Sequence, residues 1–390
     1  MFENLSYSVL QHYWWILVAV LGSALIVMMF TLWGQAIYNR LGKTENEKTL
    51  ILNALGKHYK LTFSILVTFG WAVFASFPIF YATSFGWAYL VWMAILFLMI
   101  VQAVAYEYRS KPNNFLGKKT YDIFLFLNWL LVPLLLWVAV ATFFTGSNFE
   151  IENSRLVDAG ATHHIITTWT TPFYGLEALW NTREWAFITN IALWVSVTLL
   201  VQILALLYIM HHIDNKTIIN NARKCLIIKT IVFLIFFLTF VFKLFTISGV
   251  WYDALWFFIE KYKYLHNFLD SIITYFLFVW WAVLVLLGIW LWIFKKSRNA
   301  FWFSALWTFL FVISLFIIAG FNDTVFYPSL VDLNSSLTIE NASSSYYSLI
   351  AMSYVSLMLP FVIAYIVWAW KTIASKPMKF TDLKKELESY

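Results

Sequence analysis

The sequence predicts an all-α membrane protein with nine transmembrane helices, and three observations predict it. Hydrophobic residues make up 62% of the 390 and charged residues only 12%, against roughly a quarter charged in a soluble domain. Nine apolar runs are long enough to cross a hydrocarbon core, which takes about 20 helical residues. They are residues 13–37, 61–84, 86–106, 121–145, 186–210, 226–250, 271–294, 300–321 and 347–370. Basic residues collect on one set of connecting loops. Ten-residue segments of alternating polarity do not occur, which disfavours a lipid-exposed barrel. The expected architecture is two four-helix bundles plus one helix, in a single polytopic domain over 1–375 with a charged tail at 376–390.

Helix 1 reads as permanent. Glu3 precedes its apolar run, no basic region stands before it, and the run is long enough to span, unlike a cleavable signal. The loop after it holds Arg40, Lys43, Lys48, Lys57 and Lys60. Helices 2 and 3 follow closely, then a polar island, "YEYRSKPNNFLGKKTYD", with Arg109, Lys111, Lys118 and Lys119. Helix 4 leads to a long loop, 146–185, where Pro172 and Gly175 are turn formers. Helices 5 and 6 flank Lys216, Arg223, Lys224 and Lys229; helices 7 and 8 flank Lys295, Lys296 and Arg298. The loop 322–346 is again long, so both long loops read as caps on the bundle or contacts for a partner. After helix 9, "KFTDLKKELESY" reads as a short charged helix at the membrane surface.

Of 26 basic residues, 21 lie near the loops after helices 1, 3, 5 and 7 and in the tail. The other loops and the N-terminal segment hold four, Arg155, Arg183, Lys261 and Lys263, against twelve acids, Glu3 among them. The positive-inside rule puts the tail in the cytoplasm and the N-terminus outside. The polar island is then cytoplasmic, and its charges hold helices 3 and 4 in orientation.

Little chemistry stands inside these helices. Haem iron needs axial ligands at bilayer depth. His12, His58, His211 and His212 read as helix ends, and His163, His164 and His266 as outside segments, so no histidine pair sandwiches a porphyrin. The chain is expected to bind no haem and no metal, since no H-x-x-x-H or H-E-x-x-H spacing occurs. The single cysteine, Cys225, excludes an internal disulfide and a thiolate cluster. Lys243 is the charge placed deepest in an apolar run, and it reads as snorkelling to the outer interface. Gln35, Gln102, Asn128, Asn190 and Gln202 are neutral groups suited to bonds between helices. Such a chain is a scaffold in a larger membrane complex, or a stand-alone permease or carrier of lipid or quinone. Nothing in it suggests nucleic acid as a partner.

A set of motifs narrows the choice. "QHYWWILVAVLG", "LGKTENEKTLILNALG", "FASFPIFYATSFG", "YEYRSKPNNFLGKKTYDIFLF", "ATFFTGS", "PFYGLEALWN", "SLTIENASSSYYSL" and "LPFVIAYIVWAW" stand in this order along nearly the whole chain. In this the sequence resembles subunit II of the cytochrome bd-type quinol oxidases. The resemblance implies a terminal oxidase of the bacterial inner membrane that oxidises quinol and reduces dioxygen to water. It implies that two haems of b type and one of d type belong to subunit I, and that subunit II is a haem-free partner of similar fold. It admits a small single-helix third subunit and a structural quinone or lipid.

In that family subunit II supports the haem subunit and, in some members, contributes to proton delivery through an acid near the cytoplasmic start of helix 2. The position that matches is Lys60, after Tyr59, a base where the family's relay has an acid, and a positive-inside anchor is the plainer reading. The remaining polar candidates for a proton path or a helix hinge are Glu107, Arg109, Asp122 and Asn128, with Glu107 and Arg109 expected to pair with Asp122. Trp71, Trp87, Trp129 and Trp137 also depart from the family, standing where it has small residues, mainly glycine. Three explanations stay open: lipid-facing tryptophans, an altered sequence, or UGA codons that the source organism reads as glycine.

Overall fold

A computed structural model describes residues 2–86, 88–111, 114–151, 167–170, 175–253, 256–272, 274–275, 300–373 and 377–378. Among them, eight helices are long and apolar enough to cross a membrane. They are α1 (Tyr7–Leu41), α2 (Glu45–Ser76), α3 (Tyr89–Tyr108), α4 (Lys118–Thr145), α5 (Ala186–His212), α6 (Lys216–Thr246), α7 (Ala300–Gly320) and α8 (Tyr346–Thr372). The run expected as a helix at 271–294 lies almost wholly outside the described residues, as does the tail after 378.

Local capping explains where several helices start. The Thr44 hydroxyl accepts from the Glu47 N–H while the Glu47 carboxylate accepts from the Thr44 N–H, a capping box that opens α2. Asn215 accepts from the Ile218 N–H at the head of α6. So α2 begins at Glu45 rather than 61, and α6 at Lys216 rather than 226. Buried Leu50, Ile51, Leu55 and Ile218 carry both helices past the apolar runs. The expected end of helix 2 at 84 is also corrected. α2 stops at Ser76, because Pro78 has no N–H to extend it; a short helix, Pro78–Tyr81, and a π-helical turn, Ala82–Gly86, follow.

α5 is apolar on every side and is therefore central: each residue from Val201 to Met210 is buried. It packs against α1, α2, α4, α6 and α7. A Cβ on Gly34 would stand 2.7 Å from the Ala205 Cβ, so the crossing of α1 and α5 requires glycine. α8 instead leaves Phe361, Tyr365 and Trp368 exposed.

Two short antiparallel strand pairs, absent from the sequence expectation, cover the end of the bundle that carries the N-terminus. β1 (Phe149–Ile151) pairs with β2 (Thr167–Trp169), and β3 (Gly249–Tyr252) pairs with β4 (Phe257–Glu260). α6 consequently ends at Thr246 rather than 250. Strands of three or four residues are too brief to leave an alternating pattern.

A short helix, Lys263–Asp270, braces β4. His266 Nδ1 lies 2.5 Å and Lys263 Nζ 3.4 Å from the Glu260 carboxylate. Burial pushes the Glu260 carboxyl up, but the His266 hydrogen bond and the Lys263 charge pull it down further, leaving it below its ordinary 4.5. The unfolded chain then binds more protons than the folded one in that range. The stabilisation is complete above pH 4.5 and is lost as pH falls through the lowered value. The protection of β3 and β4 against hydrogen exchange, taken relative to the intrinsic rate at each pH and followed by mass spectrometry, is expected to fall below that pH, and Glu260→Gln is expected to flatten this acid dependence.

Candidate functional site

At the end of the bundle opposite the strands, the turn between α3 and α4 is closed by a buried charge pair. Arg109 caps α3 and is 2% exposed. Its Nε donates to Asp122 Oδ1 at 2.6 Å and its Nη2 to Asp122 Oδ2 at 3.2 Å, the forked geometry that suits a guanidinium. Glu45 Oε2 lies 3.4 Å from the same Nη2. The Tyr38 hydroxyl donates to Asp122 Oδ1 at 2.6 Å, and the Tyr38 ring lies 5.7 Å from the guanidinium carbon. Burial works to lower the Arg109 pKa, but the bonds and charge of Asp122 more than reverse it, so the side chain stays charged. Four helices, α1 to α4, meet at this cluster.

Glu107 does not share Asp122, contrary to the expectation. Residues two apart on a helix point about 200° from each other, so Glu107 turns toward α2 and accepts from the Tyr59 hydroxyl at 3.3 Å. Tyr59 stacks on Tyr106 with ring centroids 5.4 Å apart. The Tyr106 hydroxyl donates to Thr31 O at 2.9 Å, and the Thr31 and Thr62 hydroxyls are 2.7 Å apart. Hydrogen bonds thus join Glu107 to Tyr59 and, deeper, Tyr106 to Thr31, with ring stacking between the two tyrosines. Lys60 is exposed, its ammonium 5.9 Å from the centre of the Tyr59 ring.

Asn128 belongs to a third group. It is fully buried, donates to Leu98 O at 3.1 Å and accepts from Gln35 Nε2 at 3.2 Å. Gln35 Nε2 also donates to Leu125 O at 2.9 Å, and Gln35 Oε1 accepts from Gln102 Nε2 at 3.0 Å. Three amides from α1, α3 and α4 therefore bond only to one another and to backbone carbonyls.

Sequence reasoning missed Tyr38 and Glu45 because it assigned them to a helix end and a loop. It also placed Lys229 at the head of a helix. The structure puts Lys229 inside α6, donating to Gln202 Oε1 of α5. Lys243 stands in the last turn of α6, its ammonium 3.5 Å from Glu184 O and exposed, the geometry of a snorkelling side chain.

His58 is a further correction. The sequence reading has it at a helix end, whereas the extended α2 buries it completely. Its ring lies 6.5 Å from that of His212 and stacks on Trp370 at 4.1 Å, and neither ring nitrogen has a hydrogen-bond partner among the described residues. The premise that no histidine sits mid-helix therefore fails for His58. The fit to a porphyrin is nonetheless poor, because Tyr208, Phe30, Phe301 and Trp370 pack edge to face and face to face around the pair. Among the described residues, no group of three or more His, Cys, Asp or Glu could hold a metal ion. His163 and His164 lie outside the described residues.

The four unexpected tryptophans divide. Trp71 is 66% exposed, and Trp129 is half-buried against the core. Trp137 is buried, edge-on to Trp33 at 6.1 Å, with its indole N–H unpartnered among the described residues, so a lipid-facing account fails there. Trp87 lies outside the described residues.

Comparison with known proteins bears on this geometry. The chain is 26% identical to cytochrome bd-I ubiquinol oxidase subunit 2 of Escherichia coli K12, over 94% of this chain and 95% of that relative. A probable cytochrome oxidase subunit 2 of Haemophilus influenzae is 30% identical over 38% of this chain and 39% of its own length. Cytochrome bd ubiquinol oxidase subunit 2 of Bacillus subtilis is 30% identical over 37% of this chain and 43% of its own. The family model for cytochrome bd terminal oxidase subunit II matches residues 10–373. A match of that extent, on a bundle of eight described apolar helices, means that the chain belongs to the family of cytochrome bd terminal oxidase subunit II.

Proposed function

We propose that this chain is the haem-free second subunit of a bd-type oxidase of the bacterial inner membrane. In this reading a larger subunit I holds two haems of b type and one of d type, and the complex oxidises quinol and reduces dioxygen to water. The observation that carries it is the family match over residues 10–373. The chain has nine membrane helices in two four-helix bundles plus one, with the N-terminus outside and the tail after 375 in the cytoplasm. Quinol protons leave outside, and the protons consumed with dioxygen enter from the cytoplasm. A small single-helix subunit, and a quinone or lipid seated structurally in this chain, complete the assembly.

The chain's own residues serve this role in two ways. Arg109 and Asp122 fix the hinge between α3 and α4, with Tyr38 and Glu45 holding the pair to α1 and α2. Any proton contribution starts at Glu107, the acid in contact with the Tyr59 hydroxyl, rather than at Lys60. Lys60 is exposed in the cytoplasmic half of α2 and acts as a positive-inside anchor. His58 and His212 pack with aromatic rings and hold no iron.

Absorbance spectroscopy of the complex that co-purifies with the tagged chain tests this reading. A larger haem-bearing subunit is expected to come down with it, and the double variant His58→Phe, His212→Phe is expected to keep every haem band. A stand-alone permease or lipid or quinone carrier would purify alone and act alone in liposomes. Loss of one haem signal with the complex intact would transfer that haem to this chain.

A further inference from the structure

Near the strand-capped end, a cavity of about 30 Å³ lies between α3, α4 and the covering segments. Apolar side chains such as Trp92 and Leu135 line it, together with Ser84, Thr142, Ser147 and Tyr327. These four polar residues come from four separate segments: the π-helical turn, the last turn of α4, the chain just beyond it, and the stretch after α7.

The local backbone holds each of them in place. Gly146 leaves α4 at φ 79°, a left-handed conformation that suits glycine. Ser147 is then pinned on both sides, its N–H donating to Pro328 O at 3.0 Å and its carbonyl accepting from Leu330 N at 2.9 Å. Its side chain has no such partner. Ser147 Oγ is buried and makes no hydrogen bond among the described residues. Burial pushes the Tyr327 hydroxyl up to about 12 against the opposing pull of the nearby Ser147, Thr142 and Ser84 hydroxyls, so it keeps its proton and remains a donor. Trp169 donates to Thr83 O at 3.2 Å and closes the roof.

A buried hydroxyl left without a partner costs about 1–3 kcal/mol. A water site needs only about 10–15 Å³ and two to four polar partners. The cavity meets both requirements. We infer that it is a binding site for ordered water, about one or two molecules, bridging Ser147 Oγ to the Tyr327, Ser84 and Thr142 hydroxyls. The water joins the covering segments to the ends of the membrane helices through Ser147.

The test is a double-variant cycle on the purified complex, with an electron cryo-microscopy map fine enough to resolve water. Ser147→Ala is expected to lower the folded-to-unfolded ratio about fivefold, as loss of one bridged hydrogen bond should, and Tyr327→Phe likewise. The double variant is expected to lose no more than the worse single, since both remove the same bridge. The map is expected to show a compact peak within bonding distance of Ser147 Oγ and the Tyr327 hydroxyl. A neutral or stabilising Ser147→Ala would overturn the inference, because deleting a truly orphaned hydroxyl relieves its cost. So would additive losses, an absent peak, or density continuous with a lipid chain.

Discussion

Replacing Arg109 with methionine is expected to destabilise the chain by about 3 kcal/mol, the lower end of what removing one member of a buried ion pair costs. The loss comes mainly from what is left behind. Asp122 keeps the Tyr38 hydroxyl but loses a two-pronged guanidinium, and Glu45 loses its contact 3.4 Å away. The Asp122 side chain is 31% exposed, so water recovers part of its charge and the upper end of the range is out of reach. Arg109→Lys keeps the charge but not the fork, and should fall between the native chain and the methionine variant. Adding Asp122→Leu to Arg109→Met should restore part of the loss, since a buried apolar pair carries no stranded charge. Thermal melting and yield of the purified complex measure these effects. A proton-wire role predicts something different: turnover would collapse in Arg109→Lys while the melting temperature stayed at the native value. That outcome would remove the hinge assignment.

The middles of the membrane helices were legible because an apolar run of about 20 residues has few soluble explanations. Their ends were not. Residues 45–60 mix charge with Leu50, Ile51 and Leu55, so an apolar-run reading assigns them to a loop, while the Thr44 and Glu47 cap shows a helix start. That one error also misplaced His58, because depth was counted from the wrong end of the helix. Arg109 was legible as the partner of Asp122, but the pairing of Glu107 was not, since its direction on α3 carries it to Tyr59 of α2 rather than to α4. Lys229 was hidden by its lysine neighbours. Only the register of α6 against α5 brings it to Gln202. The strand pairs and the cavity behind them join residues far apart in the chain, such as Ser147 and Tyr327, and no local pattern announces such a meeting.

Gln35→Leu is expected to cost about 2 kcal/mol, within the range for leaving a buried polar partner unsatisfied. Gln35 is the centre of its group: it donates to Asn128 Oδ1 and Leu125 O and accepts from Gln102 Nε2. Removing it strands the Asn128 carbonyl and one Gln102 proton, although Gln102 keeps its bond to Leu32 O and Asn128 its bond to Leu98 O. The triple replacement of Gln35, Gln102 and Asn128 by leucine removes the stranded groups along with the bonds, and should recover most of the lost stability. Recovery is the discriminating result. Bonds between helices that serve only as glue can be exchanged for apolar contact, since such bonds average only about 0.6 kcal/mol in a membrane protein. A triple variant that melts like the native complex and still turns over quinol would leave the amides a structural role. One that melts normally but no longer turns over would instead place them on the route by which protons or water reach the partner subunit.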